Sequence, residues 1–188
     1  MPVVHQEIAV RRARTADVAR IAGLVDFYSG KRILLEKAPV TLYEDVQEFW
    51  VACPADDLSV VIGCGALHVL WQDLGEIRTL AVDQSWRGRR IGDLLMAQLL
   101  RTARELGLER LFCLTFERKF FERHGFQTIS GTPVEAEVYE QMRRSYDEGV
   151  AEFLDLEYVK PNTLGKTPEC SWSCSHSVTA RSGGGAPW

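Results

Sequence analysis

Between positions 75 and 116 the chain alternates in a way that few folds accommodate. GEIRTLAV (75–82) has strand composition, and a short polar, basic loop follows it. A helix is then predicted from about Arg89 to Leu106, because Ile91, Leu94, Leu95, Leu99 and Ala103 fall on one helical face. Gly107 stands where helices turn into the left-handed conformation and stop. RLFCLTF (110–116) is almost wholly apolar, as a strand covered on both faces must be. Strand, helix and strand in this order make a crossover between parallel neighbours of one sheet.

The surrounding pattern completes a mixed α/β (α+β) domain, a mostly antiparallel sheet flanked by helices. A strand is expected at 8–12, then Thr15 as N-cap of a helix to about Tyr28, with Val18, Ile21, Ala22 and Val25 inward and Gly30 at its end. A second helix is expected at 42–49 after Pro39, and a short strand at 49–52 merges with its end. A turn at 54–58 leads to a strand at 59–71, where Gly63 and Gly65 mark a bulge or a close approach. A short helix at 117–124 stops at Gly125; a strand from Phe126, a helix at 134–146 and a last strand at 153–159 follow. The domain thus spans 1–160, and 161–188, rich in Ser, Thr, Gly and Pro, reads as a flexible tail.

A chain of 188 residues has room for one such domain and not for a second catalytic module. Its net charge of −4 argues against nucleic acid as a partner, yet Arg87, Arg89 and Arg90 fall within four positions. A local basic site in an acidic protein suits a small anion. No apolar run is long enough to span a bilayer and the N-terminus lacks a signal-peptide core, so no membrane partner and a cytoplasmic location are expected. Cys64 and Cys113 read as small buried hydrophobes without an activating base. Cys170, Cys174 and His176 are too few for a defined ligand set, and no metal is expected.

The basic loop carries the chemistry. A helix start presents backbone N–H groups and partial positive charge to a phosphate. Gly88 and Gly92 leave room for close approach, and Arg87, Arg89 and Arg90 can add charge-assisted contacts. A solvated basic loop feeding an ordinary helix fits the same spacing equally well.

VDQSWRGRRIGDLL (82–95) resembles the acetyl-CoA signature R/Q-x-x-G-x-G/A of the GCN5-related N-acetyltransferases (GNAT), with Arg87 first, Gly92 last and Arg90 in the central glycine's place. FFERHGF (120–126) is similar to the superfamily's Y-E-x-x-G-F, with Phe121 where tyrosine is usual. With KRILLEK (31–37), GEIRTLAV and LFCLT (111–115), the resemblance extends over residues 8–160 and narrows to the short, single-domain bacterial N-acetylglutamate synthases.

That resemblance implies the GNAT fold and acetyl-CoA as acetyl donor, without a metal. It implies transfer to the α-amine of glutamate or glutamine in arginine biosynthesis, with arginine as an optional inhibitor; separately, the hydrophobic pieces of the last strand and of strand 59–71 could support a homodimer. It implies a cofactor site of Leu80, Ala81, Val82, Arg87, Gly88, Arg89, Arg90, Ile91, Gly92 and Phe121, with the backbone of Leu80 and Val82 pairing with pantetheine. Glu76 is implied as general base, with a surface strand residue as the alternative. Thr115 is implied at the leaving thiolate, with a plain β-former as the alternative. Leu35, Lys37 and Thr79 are implied at the amino-acid substrate, where Arg78, Arg143 or Arg144 replaces an arginine that the family carries near the turn now reading GVAE (149–152). His68 reads as a satisfied core histidine and His124 as a surface residue. The same fold also serves other amines, such as a protein N-terminus, a lysine or an aminoglycoside, and would serve a non-catalytic acyl-CoA sensor.

Overall fold

A computed structural model describes residues 6–31, 33–34, 36–130, 134–145, 154 and 169–173. Its elements are β1 (Ile8–Arg12), α1 (Val18–Ser29), α2 (Pro39–Glu44), β2 (Phe49–Pro54), β3 (Gly63–Val69), β4 (Leu74–Val82) and α3 (Ile91–Glu105). They continue with β5 (Arg110–Leu114), α4 (Arg118–Glu122), β6 (Gln127–Thr128), α5 (Ala136–Met142) and β7 (Glu169–Ser173). The strands form one sheet in the order β1-β2-β3-β4-β5-β7-β6. Every pairing is antiparallel except β4–β5, the parallel pair that α3 bridges.

The apolar periodicities decide which helix covers which face. From α3, Met96, Leu99, Leu100 and Ala103 pack on Leu67, Ile77 and Leu111. The first turn of the same helix sets Ile91 and Leu95 against Ala52 and Ile62. On the opposite face, Val18, Ile21, Leu24 and Val25 of α1 and Leu42 of α2 pack on Val51, Cys64 and Ala66. Each fully buried aliphatic side chain contributes about 1.5–3 kcal/mol, so these two layers hold the sheet.

Several boundaries differ from expectation for identifiable reasons. Thr15 opens a short 3-10 turn, Thr15–Asp17, instead of capping a helix. The carboxylate that satisfies this turn is Asp17, which accepts the Arg14 N–H at 2.7 Å and pairs with both terminal nitrogens of Arg11. The second helix starts at Pro39, because proline suits the first helical position, and it ends at Glu44. The expected long strand at 59–71 is confined to Gly63–Val69. Gly107 and Gly125 take positive φ, 78° and 88°, where the sequence placed helix stops.

Residues 169–173 fall in the stretch expected to be a tail, yet they form β7 between β5 and β6. Of the expected last strand at 153–159, only Leu154 lies among the described residues; it is buried and accepts a hydrogen bond from Tyr139 Oη. No helix among the described residues is long and apolar enough to cross a membrane.

Candidate active site

The parallel strands β4 and β5 pair only over Leu74↔Arg110, Gly75↔Leu111 and Glu76↔Phe112. β4 runs on for six more residues to Val82, while β5 ends at Leu114. The two strands therefore part, and no described strand takes up the β5 side of Thr79–Val82.

A bulge sharpens this opening. Cys64 faces Ala81 and Ala66 faces Arg78, so Thr79 and Leu80 together oppose Gly65. Thr79 takes φ 57°, a left-handed conformation that a β-branched residue adopts only under strain. The extra residue resets the strand's alternation, so that Ile77 and Leu80 both face α3 while Ala81 faces α1. A Cβ on Gly65 would lie 2.9 Å from Leu80 Cδ1 and 3.0 Å from Leu99 Cδ1, so this glycine is what admits Leu80.

The parted strands border a cleft of about 200 Å³. Its walls are residues 77–82 of β4, Leu114 and Thr115 at the end of β5, Glu117, and Phe120 and Phe121 of α4. Tyr28 and the chain after α1 close it from the other face, and Arg87 and Gly92 lie at one end. A narrow, mostly apolar slot with open strand edges and a cation at its mouth fits an extended pantetheine arm ending in a pyrophosphate.

The three clustered arginines have separate tasks. Arg87 borders the cleft. Arg89 stacks on Trp86, 4.5 Å from its ring centre. Arg90 directs Nε to Asp93 Oδ2 at 3.1 Å. Gly88 has φ 79°, and Arg90, the residue before α3, has φ 60°. The family's central glycine thus falls on a left-handed position, which explains why glycine is usual there. Ile91 is buried in the core and can reach a ligand only through its backbone N–H. Gly92, at the end of the cleft, also makes room for a protein ring, since an added Cβ would lie 3.1 Å from Phe120 Cε2.

At the other end of the strand, Glu76 is only 3% exposed, so it is not a surface residue. Arg78 Nη1 stands 3.9 Å from Glu76 Oε2, and Nη2 reaches Asp45 at 3.1 Å and Glu48 at 3.0 Å. Glu76 does not itself border the cleft; Arg78, two residues on, does. Burial, reinforced by the charge of Glu48, holds the Asp45 carboxyl above its ordinary range, against the pull of Arg78 and Lys37. His68 is half-buried and bonds Glu48 through Nδ1 at 2.6 Å, so it is satisfied but belongs to this charged cluster and not to the core.

Thr115 is buried and its Oγ1 accepts the Glu117 N–H at 3.0 Å, which leaves its own proton available to the cleft. Phe121 packs edge-on against Phe120 and Phe126. Cys64 lies outside the cleft, and burial pushes its thiol up to about 12. Arg144 lies apart, in a depression it shares with His68 and Trp71. Leu35 is outside the described residues.

Sequence reasoning overlooked four participants. Tyr28 donates to the Val82 carbonyl at 2.5 Å; its place one turn after Val25 was the available signal. Asp45 and Glu48, which hold Arg78, gave no local signal. His124, read as a surface residue, bonds Asp93 Oδ1 through Nε2 at 3.0 Å.

The splayed β4–β5 pair, the basic turn and the helix start carry the features of an acyl-CoA fold, and the Acetyltransferase (GNAT) family model matches residues 24–126. The chain belongs to the GNAT acetyltransferases. It is an acyltransferase with acetyl-CoA as donor. Among similar GNAT proteins, an amino-acid acetyltransferase of Mycobacterium tuberculosis is 65% identical over 158 residues, 84% of this chain and 90% of the relative. An amino-acid acetyltransferase of Neisseria meningitidis serogroup A is 33% identical over 74% of this chain, which spans 31% of that longer protein. The crystal structure of a Mycobacterium tuberculosis protein in complex with CoA and NLQ superposes with a TM-score of 0.84 at 61% identity, covering 88% of this chain and 99% of that one. The N-acetylglutamate synthase of Neisseria gonorrhoeae, complexed with coenzyme A and N-acetyl-glutamate, shares the fold at a TM-score of 0.70 and 23% identity, over 90% of this chain and 36% of that one.

Proposed function

We propose that this protein acetylates the α-amine of L-glutamate or L-glutamine, the first step of arginine biosynthesis, in the cytoplasm. The observation that carries the reading is the 65% identity to an amino-acid acetyltransferase over nearly its whole length, joined to a cleft built for the donor. Bound acetyl-CoA supplies a thioester carbonyl open to attack by an amine. Arg87 and the N–H groups opening α3 hold the donor's phosphates, and the backbone of Thr79–Val82 lies along its pantetheine arm. An α-ammonium must lose a proton before it attacks, and Glu76, set back from the cleft beside Arg78, accepts it through a bridging water. Backbone N–H groups beyond the bulge polarise the acyl oxygen. Thr115 donates to the departing sulfur, the place where Phe121 lacks a hydroxyl.

Arg78 is already shared among three carboxylates, so it is poorly placed to bind a substrate carboxylate as well. Lys37, half-buried near Asp45, is the better candidate for that contact. Arg144 would take part only if the acceptor reached its separate depression.

Thiol release from acetyl-CoA, measured with glutamate and glutamine side by side and with or without arginine, tests the reading. Turnover of either amino acid supports it. Turnover of a peptide or an aminoglycoside with neither amino acid used would overturn it. Glu76→Gln is expected to lower kcat by about 100-fold or more at saturating substrate while donor binding persists.

A further inference from the structure

We infer that His124 is a positioning residue for the donor, acting through Asp93 as a clasp between the two halves of the acyl-CoA site. The inference rests on the reading that acetyl-CoA occupies the cleft between β4 and β5.

The cleft is built from segments distant in sequence. Its phosphate end is the start of α3, and its inner wall includes Phe120 and Phe121 of α4. Backbone hydrogen bonds fix each segment internally, with Leu94 N–H to Arg90 O at one end and Phe126 N–H to Phe121 O at the other. Across the gap, Asp93 in the first turn of α3 accepts His124 Nε2 at 3.0 Å through Oδ1 and Arg90 Nε at 3.1 Å through Oδ2. Arg123 Nη2 stands 3.8 Å from the same Oδ1. Both partners of the clasp are largely shielded, with side-chain exposures of 18% for His124 and 23% for Asp93. Below it, the Phe120 ring lies against the His124 ring at 4.9 Å between centres and fills the space over Gly92. One carboxylate in the first turn of α3 therefore joins the helix start at the phosphate end to the histidine that follows the aromatic wall. Such a link fixes the distance from phosphate to thioester, and it matters only to a ligand that uses both ends.

The test compares acetyl-CoA with acetyl-pantetheine, which lacks the phosphates, in wild type, His124→Ala and His124→Gln. Calorimetric titration with CoA accompanies it. His124→Ala is expected to raise the KM for acetyl-CoA about tenfold, the worth of one charge-assisted hydrogen bond. The KM for the amino acid and the turnover of acetyl-pantetheine should stay within about twofold, since neither uses the phosphate end. His124→Gln, whose amide can still donate to Asp93, should recover most of the loss. Equal losses with both donors would mean a general folding defect and overturn the clasp. Unchanged CoA affinity in His124→Ala would overturn it too, while the cleft reading stood. Failure of the wild type to bind CoA would overturn the cleft reading and the clasp with it.

Discussion

Arg90 shows how a single residue can keep a motif's geometry after losing its usual side chain. Its φ of 60° belongs to the left-handed region, which costs a non-glycine residue about 1–2 kcal/mol. Its guanidinium is turned to Asp93 and is 85% exposed, so it offers little to a ligand lodged in the cleft. Arg90→Gly should stabilise the protein by about 0.5–1 kcal/mol in urea denaturation, the relief being offset in part by backbone entropy. Arg87→Ala should instead weaken CoA binding by about tenfold, because Arg87 is the one of the three clustered arginines that borders the cleft. Equal effects of the two substitutions on CoA affinity would contradict this division. The acid at the leaving sulfur is open to a similar test. Thr115→Val should cut kcat by about tenfold to 100-fold, and adding Phe121→Tyr should restore much of it by supplying a hydroxyl on the same wall.

At the scale of elements, the β4 bulge converts a plain strand into one wall of a binding slot. It depends on Gly65 having no side chain, since Leu80 and Leu99 already occupy the space a methyl would need. Gly65→Ala should therefore destabilise by about 1–3 kcal/mol and disturb donor KM more than acceptor KM, measured by denaturation and by steady-state kinetics. A fully stable variant with normal kinetics would show that the bulge tolerates the methyl. The sequence flagged this place, because Gly63 and Gly65 interrupt a β-rich run. It flagged α3 and β5 as well, where a 3.6-residue period gives way to an unbroken apolar run. Its failures have physical causes. Thr15 resembles an N-cap, but Asp17 offers a carboxylate that reaches both Arg11 and the Arg14 N–H, and the stronger acceptor wins. β7 escaped notice because ECSWS lacks the β-branched alternation that marks a strand, and its place is set by two waiting strand edges. Asp93 and His124 are each unremarkable locally and acquire meaning only when folding joins them across 31 positions.

The whole molecule is held at its edge by a pair remote from the cleft. Arg11 on the outermost strand meets Asp17 at 2.7 and 2.9 Å and also bonds the Leu58 carbonyl at 2.7 Å, tying β1 to the entry of α1. The Arg11 hydrogen bond, against the opposing effect of burial, holds the Asp17 carboxyl below its ordinary range. A carboxyl depressed in the folded state contributes stability above its unfolded pKa of about 3.9 and loses it as pH falls through the folded value. Asp17→Asn should thus cost about 2 kcal/mol at neutral pH, with the gap from wild type closing in acid. Denaturant midpoints between pH 7 and pH 2 would show this, and a gap independent of pH would rule out the linkage.

The place of β7 between β5 and β6 bears on how a newly made chain matures. Leu111 meets its partner Trp172 only after about sixty further residues have been synthesised, a long-range pairing of the kind that slows folding. Until those residues leave the ribosome, β5 has β4 on one side and a bare edge on the other. The packing of α1 and of the start of α3 on the first four strands needs nothing from beyond Leu106, whereas the rest of α3 also packs on Leu111 of β5. The wall that carries Thr115 is thus the last part of the catalytic centre to be secured, and a nascent chain halted before residue 169 would hold the phosphate turn without a finished thioester wall.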